Sequence, residues 1–219
     1  MSRIIAAMCL VFVVASVSLA AAPGLIGSWE SDMDGWLLGN AGVVAVPGMT
    51  SGVTVGAGSL GVAVGDGWQE LIKYEFGGWW QETPFTNPTR FSIDVTVIAS
   101  EWAMTGVDPE WGVKPLEALV FSGPGSGWWM QFAPVVLPDF SGDGSRMGIW
   151  KPEDGDKTFT YTFNLPGLGY QVFEQIILFT NSGVTSSHGL IYLDNAVIPE
   201  PATMALMGLG GLALIRRKK

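Results

Sequence analysis

Ten tryptophans are the side chains of this 219-residue sequence best suited to binding chemistry, and all fall between residues 29 and 150. A flat indole stacks against the C–H face of a sugar ring and loses little conformational freedom in doing so. Two tryptophan pairs, Trp79-Trp80 and Trp128-Trp129, sit in short apolar runs. In a strand, adjacent side chains point to opposite faces, so one member of each pair could be core and the other surface. Trp102 and Trp111 lie in the longest irregular stretch, residues 100–115, with Glu101, Asp108 and Glu110 nearby as hydroxyl acceptors. The candidate ligand-binding set is therefore Trp79, Trp102, Trp111 and Trp128. The competing reading is that the tryptophans fill a core.

Catalytic chemistry finds less support. His188 is the single histidine, in a Thr-Ser-Ser-His-Gly stretch that reads as a hairpin loop before the last strand. There is no G-x-S-x-G to place a nucleophile on an elbow. Carboxylate pairs for glycoside hydrolysis can be drawn from any acidic sequence, but no E-x-D-x-x-E cluster on one strand is present. A Gly-rich phosphate loop, a Cys/His metal cluster and a basic aromatic patch are missing too. Asp139-Phe140-Ser141-Gly142-Asp143-Gly144 begins like a calcium loop, yet its twelfth position is Trp150 where a bidentate glutamate is needed. It reads as a turn. No catalytic residue is nominated, and a glycan-active hydrolase is the least favoured of the function classes.

The two ends read as addresses. Met1-Ser2-Arg3 is followed by an apolar run from Ile4 to Leu19 that closes on Ala20-Ala21-Ala22-Pro23, the layout of a secretory signal peptide. Ser18 and Ala20 suit a cut after Ala20, and a cut after Ala22 is the alternative. Cys9, the only cysteine, would leave with this leader, so the exported chain must be stabilised by packing, or by a bound metal, without disulfides. At the other end Pro199-Glu200-Pro201 precedes a short Gly-rich apolar segment, residues 202–215, and then Arg216-Arg217-Lys218-Lys219. The basic stop holds the tail on the cytoplasmic side of a membrane. Tripeptide, apolar helix and basic stop, in that order, resemble the PEP-CTERM sorting signal over residues 199–219. That resemblance implies handling by signal peptidase and an exosortase, and membrane contact only through a transient C-terminal helix. It further implies delivery across the inner membrane to the cell envelope, the surface or an extracellular matrix.

Residues 23–198 remain, about one domain in size. Of 11 Lys+Arg, five lie in the two ends, leaving six; of 20 Asp+Glu only Glu200 does, leaving 19, so this segment carries about −13. Such a balance argues against a nucleic-acid partner and suits divalent cations. The pattern is that of strands. In Arg90–Val97 the apolar Phe91, Ile93, Val95 and Val97 alternate with Ser92, Asp94 and Thr96, which predicts one face inside and one wet. Phe159, Tyr161 and Phe163 alternate with threonines in the same way. Further strands are predicted at 42–46, 58–64, 70–76, 116–122, 128–133, 173–180 and 190–197. Turn clusters separate them, and no 3.6-residue apolar stripe lasts three turns. Many short strands of this kind make a sandwich or barrel.

The opening Gly27-Ser28-Trp29-Glu30-Ser31-Asp32-Met33-Asp34-Gly35-Trp36 resembles the first strand and turn of jelly-roll carbohydrate-binding modules. Leu190-Ile191-Tyr192-Leu193-Asp194-Asn195 resembles their last strand, and Ser59–Val62 with Gly67-Trp68-Gln69 their second and third. The resemblance implies an all-β jelly-roll sandwich, and a structural Ca2+ between the first and last strands held by oxygen ligands. It carries over to Glu30 and Asp194, with Asp32 as a helper. The expected organisation is a signal peptide (1–22), a jelly-roll domain (23–198) and a sorting signal (199–219). The expected function is non-catalytic polysaccharide binding at a cell surface or matrix. The alternative is a structural or adhesive component that binds protein partners or itself.

Overall fold

The computed structural model describes residues 25–39, 44–64, 68–73, 89–104, 112–122, 129–166, 175–181 and 187–198. Twelve strands are found among them: β1 (Leu25–Gly27), β2 (Trp36–Leu38), β3 (Val44–Met49), β4 (Ser59–Val64), β5 (Trp68–Lys73), β6 (Arg90–Val97), β7 (Ala103–Met104), β8 (Lys114–Ser122), β9 (Trp129–Phe132), β10 (Lys157–Asn164), β11 (Gln175–Asn181) and β12 (Ser187–Val197). They form two antiparallel sheets. One runs β10-β6-β12-β4-β3, with the short β1 and β7 pairing to opposite ends of β12; the other runs β2-β5-β11-β8-β9.

The alternation seen in the sequence builds the space between the sheets. Register pairs Phe91 with Phe163, Ile93 with Tyr161 and Val95 with Phe159, so the inner faces of β6 and β10 form one apolar surface. Phe91, Ile93, Tyr161 and Phe163 are fully buried, as are Leu60 and Val62 of β4 and Ile191 and Leu193 of β12. From the other sheet come Leu119, Phe121, Ile176 and Leu178, equally buried. Trp29, Trp36 and Trp150 are the largest side chains closed off completely. Trp36 tilts against Trp29 at 5.8 Å between ring centres and donates its indole N–H to the Ile26 carbonyl at 3.0 Å. That bond ties β2 of one sheet to β1 of the other.

The outer face of the first sheet is not wet, which corrects the reading of Arg90–Val97. Residues 50–58 fold back over it, leaving Asp94 8 % and Thr96 7 % exposed. Gly52 makes the fold-back possible. Its φ is +68°, and a Cβ there would stand 2.3 Å from Cβ of Tyr192, so only glycine fits. Beneath the loop lies a polar layer. Thr54 N–H and Val55 N–H both donate to Asp194 Oδ2, at 2.7 and 2.8 Å. The Thr54 hydroxyl reaches Asp94 Oδ2 at 2.7 Å, and Thr160 Oγ1 donates to Asp94 Oδ1 at 2.5 Å. Tyr192 donates its hydroxyl to Glu101, and burial together with that carboxylate pushes the phenol up from its ordinary pKa. Buried polar groups need such partners, and here the 50–58 loop, Thr160 of β10 and Glu101 supply them.

Two sequence expectations shift at element level. Residues 100–115 are not wholly irregular: a 3-10 turn at Ala99–Glu101 and β7 occupy the start, and β8 begins at Lys114. His188 lies within β12, where its backbone pairs with Ala103, rather than in a turn. At the outer edge of the first sheet, β3 loses register between Val46 and Met49. Pro47 has no N–H there, and Gly48 turns away at φ +70° to donate to the Trp29 carbonyl at 2.9 Å.

Candidate functional site

Among the described residues, the outer face of the other sheet carries the most exposed aromatic side chain. Its side chains follow from alternation. In β11 the inward Ile176, Leu178 and Thr180 are buried, so Gln175, Ile177 and Phe179 point out. In β9 Phe132 faces the core, where its ring packs edge-on against Phe121 at 6.0 Å, so Trp129 and Gln131 point out. In β8 Leu119 and Phe121 point in, so Val120 and Ser122 point out.

Register assembles these residues in rows across the strands. Trp129, Ser122 and Gln175 form one row; Gln131, Val120 and Ile177 form the next, and Phe179 follows opposite Ala118. Together they line a groove of about 420 Å3. Trp129 stands at its rim, 67 % exposed, the most exposed of the large apolar side chains described. A tryptophan this open, on a strand whose Phe132 is buried, has most of its indole available for contact. Ser122 donates its hydroxyl to Gln175 Oε1 at 3.2 Å, which leaves the amide N–H groups of Gln175 as donors toward the groove. None of the seven lining residues is ionisable. Among the described residues the groove thus offers apolar area, an aromatic side chain and uncharged hydrogen-bonding groups.

The residues nominated from sequence are dispersed. Trp102 is a correction: it is 8 % exposed, and its indole N–H donates to the Leu190 carbonyl at 3.0 Å. Its ring meets Trp150 edge-on at 5.4 Å. A Cβ on Gly189 would come within 2.3 Å of the Trp102 ring, so the indole is seated on bare backbone of β12. It is a packing residue. Trp79, Trp111 and Trp128 lie outside the described residues. Trp129, next to the nominated Trp128, is the exposed residue. The signal was present in Trp129-Met130-Gln131-Phe132, where a polar Gln131 and a large apolar Phe132 fix which parity faces water.

Of the proposed calcium ligands, Asp194 is fully buried and Glu30 is exposed. Both grip the same segment. Asp194 takes the N–H groups of Thr54 and Val55, while Glu30 Oε2 takes that of Ala57 at 2.8 Å. A Cβ on Gly56 would overlap Glu30 Oε1, so the Glu30 carboxylate lies directly against that turn. Asp32 stands apart, its Oδ1 accepting the Asp34 N–H at 2.8 Å. Asp34, which the sequence reading left out, closes the first turn by accepting the N–H groups of Ser28 and Trp29, both at 2.6 Å. Among the described residues no three acidic, histidine or cysteine side chains converge as a metal cluster. The calcium-loop lookalike is a turn, as expected. Asp139 accepts from Gly142 and Gly144 N–H and from Ser141, and Asp143 from Ser141 and from Ser145 N–H. The Ser145 side chain, then Ser141 and the Ser145 N–H, hold the Asp143 carboxyl down at a pKa of about 2.

Comparison with known proteins agrees with this architecture. A carbohydrate-binding module of the β-sandwich superfamily superposes with a TM-score of 0.50 at 12 % identity, covering 81 % of this chain and 62 % of that one. The chain therefore spans under two thirds of that structure's length. The xylan-binding domain from Paenibacillus barcinonensis Xyn10C is similar at a TM-score of 0.42 and 14 % identity, over 81 % of this chain and 96 % of that one. The N-terminal cellulose-binding domain of Cellulomonas fimi β-1,4-glucanase C gives 0.43 and 13 %, over 83 % and 98 %. No curated protein matches the chain. Residues 197–219, which include Pro199, Glu200 and Pro201, match the PEP-CTERM protein-sorting motif. The chain thus joins a jelly-roll β-sandwich, all-β as expected, to a motif that marks proteins for export and sorting to the envelope or surface.

Proposed function

We propose that this protein is an exosortase-sorted surface or matrix protein whose sandwich is a non-catalytic glycan-binding module. The observation that carries the reading is Trp129, 67 % exposed at the rim of a groove that also offers Gln131, Gln175 and Ser122. A sugar ring resting on the indole would bring its hydroxyls to the amides, a division of labour between apolar area and a few placed polar groups. Among the described lining residues none is ionisable, which favours an uncharged glycan. The binding reported in the names of the similar structures points the same way. Glycan-array binding by the purified exported protein, with Trp129→Ala alongside, tests this. Binding that the substitution abolishes supports it, while silence from the folded protein moves the assignment to a structural or adhesive role.

Structural calcium belongs to the same proposal. Glu30 and Asp194 would hold the ion, supplying hard oxygen ligands on either side of residues 54–57 and locking that turn onto the sheet. Their common grip on one turn supports this reading, with Asp32, which uses Oδ1 toward Asp34 N–H, as a helper. The expected result is a melting temperature that falls on chelation and recovers with added Ca2+.

A further inference from the structure

The groove that carries Trp129 has an apolar floor, and that floor restricts which sugar it can hold. The row Gln131–Val120–Ile177 crosses β9, β8 and β11, and the row Trp129–Ser122–Gln175 lies two residues along the same strands. The first row is low in its middle. Val120 is only 7 % exposed although it lies on the outer face, Ile177 beside it is half-buried, and Phe179 continues the apolar surface along β11. The hydrogen-bonding groups around this floor are mainly amides. Gln131, exposed on β9, stands opposite Val120 and carries both a donor and an acceptor. Across the groove Ser122 donates to Gln175 Oε1 at 3.2 Å, so the Gln175 amide meets a ligand with its N–H groups.

A sugar that shows only hydroxyls to this floor is poorly served. A hydroxyl pressed onto Val120 and Ile177 loses its water and finds no partner in those side chains, which weakens binding. A methyl group gains from the same contact. A substituent that ends in a methyl and carries an amide behind it suits both halves of the groove. Resting on the glycan-binding reading above, we infer that the groove takes a 2-acetamido sugar, with the acetyl methyl seated on Val120 and Ile177. An acetamido group is a trans secondary amide, so its methyl stands about 3.8 Å from the ring carbon that bears it. With neighbouring strands about 4.8 Å apart, a ring resting against Trp129 on β9 can lay that arm over β8. The acetamido carbonyl accepts from the Gln175 N–H, and its N–H donates to the Gln131 carbonyl. An O-acetyl ester brings the methyl without the N–H. A free 2-amine brings the nitrogen without methyl or carbonyl.

The test is isothermal titration of the purified exported protein with matched oligosaccharides in gluco and galacto configuration. Members of a set share length and linkage and differ only in carrying a 2-acetamido group, a 2-hydroxyl or a free 2-amine. In at least one configuration the acetamido member is expected to bind about tenfold or more tighter than the other two, the discrimination that one methyl-sized group gives in an apolar pocket. Val120→Thr keeps the shape of the floor but puts a hydroxyl in it, and should cut that ratio by about threefold or more. Trp129→Ala should weaken all members of a set by a similar factor, and a urea melt establishes that each variant is folded. A hydroxyl or amine member that binds as tightly as the acetamido member in both configurations overturns the inference and leaves the glycan reading standing. An unchanged ratio in folded Val120→Thr overturns it as well. Binding of no member overturns the inference, and the glycan reading falls with it only where the glycan array of the folded protein is also silent.

Discussion

Replacing Trp129 with alanine separates a binding residue from a packing residue more cleanly than any other single change. A tryptophan side chain has up to about 250 Å2 to bury, and Trp129 leaves 67 % of its surface open. A sugar covers one ring face, so roughly 80 Å2 of the open area would be lost to water on binding. At about 25 cal/mol/Å2 this is about 2 kcal/mol, or roughly a thirtyfold weakening of affinity when the ring is removed. Folding should hardly respond, because exposed side chains outside special contacts change stability by about 0.5 kcal/mol or less. Isothermal titration with an array-positive oligosaccharide, paired with a urea melt of the same sample, reads both quantities. An unchanged Kd in the folded variant refutes the placement of the ligand on Trp129. A large loss of stability refutes the reading of that ring as a free platform.

Other substitutions probe the scaffold. Trp102→Ala should leave a cavity beside Trp150 and cost about 3–5 kcal/mol, seen as a lowered urea midpoint; a purely local loss of glycan binding would contradict its burial. Gly52→Ala should destabilise by about 2 kcal/mol or more, since it combines positive φ with a clash against Tyr192, and a stability equal to wild type would remove the loop from the account. Asp194→Ala leaves the Thr54 and Val55 N–H groups without their acceptor and should cost about 3 kcal/mol, with raised hydrogen exchange confined at first to residues 50–58. The turn at 139–145 should be acid-sensitive. The folded pKa of Asp143 lies at about 2, below its ordinary 3.8, so its contribution is complete above pH 3.8 and is lost as pH falls toward 2. Amide shifts of Gly142, Gly144 and Ser145 followed across that window check the sign.

Much of the fold was legible because alternation is a direct record of two-sidedness. The alternation places Arg90–Val97 to the residue, and that of Phe159, Tyr161 and Phe163 falls inside its partner β10. Segments of three residues or fewer, such as β1, β2 and β7, carry too short a pattern to register and exist because a neighbour supplies their hydrogen bonds. The wet face assigned to Asp94 and Thr96 failed for a different reason. Polar side chains on a strand report that their face is not oily, but not whether a loop 40 residues earlier will cover it with hydrogen-bond donors. The candidate site failed on the same kind of distance. Composition pointed to tryptophan as the residue type, yet Trp102 is buried because of Gly189 and Trp150, residues far away in sequence. Trp129 was recoverable from its own strand, where Phe132 sets the inward parity.

The broken outer strand β3 has a bearing on life at high density. A sorted protein accumulates with its copies side by side, at local concentrations where an open strand edge would recruit its neighbour's and grow into a fibre. In β3 the run of available backbone donors stops at Pro47, and Gly48 bends the chain away to bond within its own molecule. Val44 and Val46, exposed as they are, lie on the side of Pro47 where the ladder of donors breaks off. Along this edge, crowded copies therefore meet an interrupted ladder rather than a continuous one.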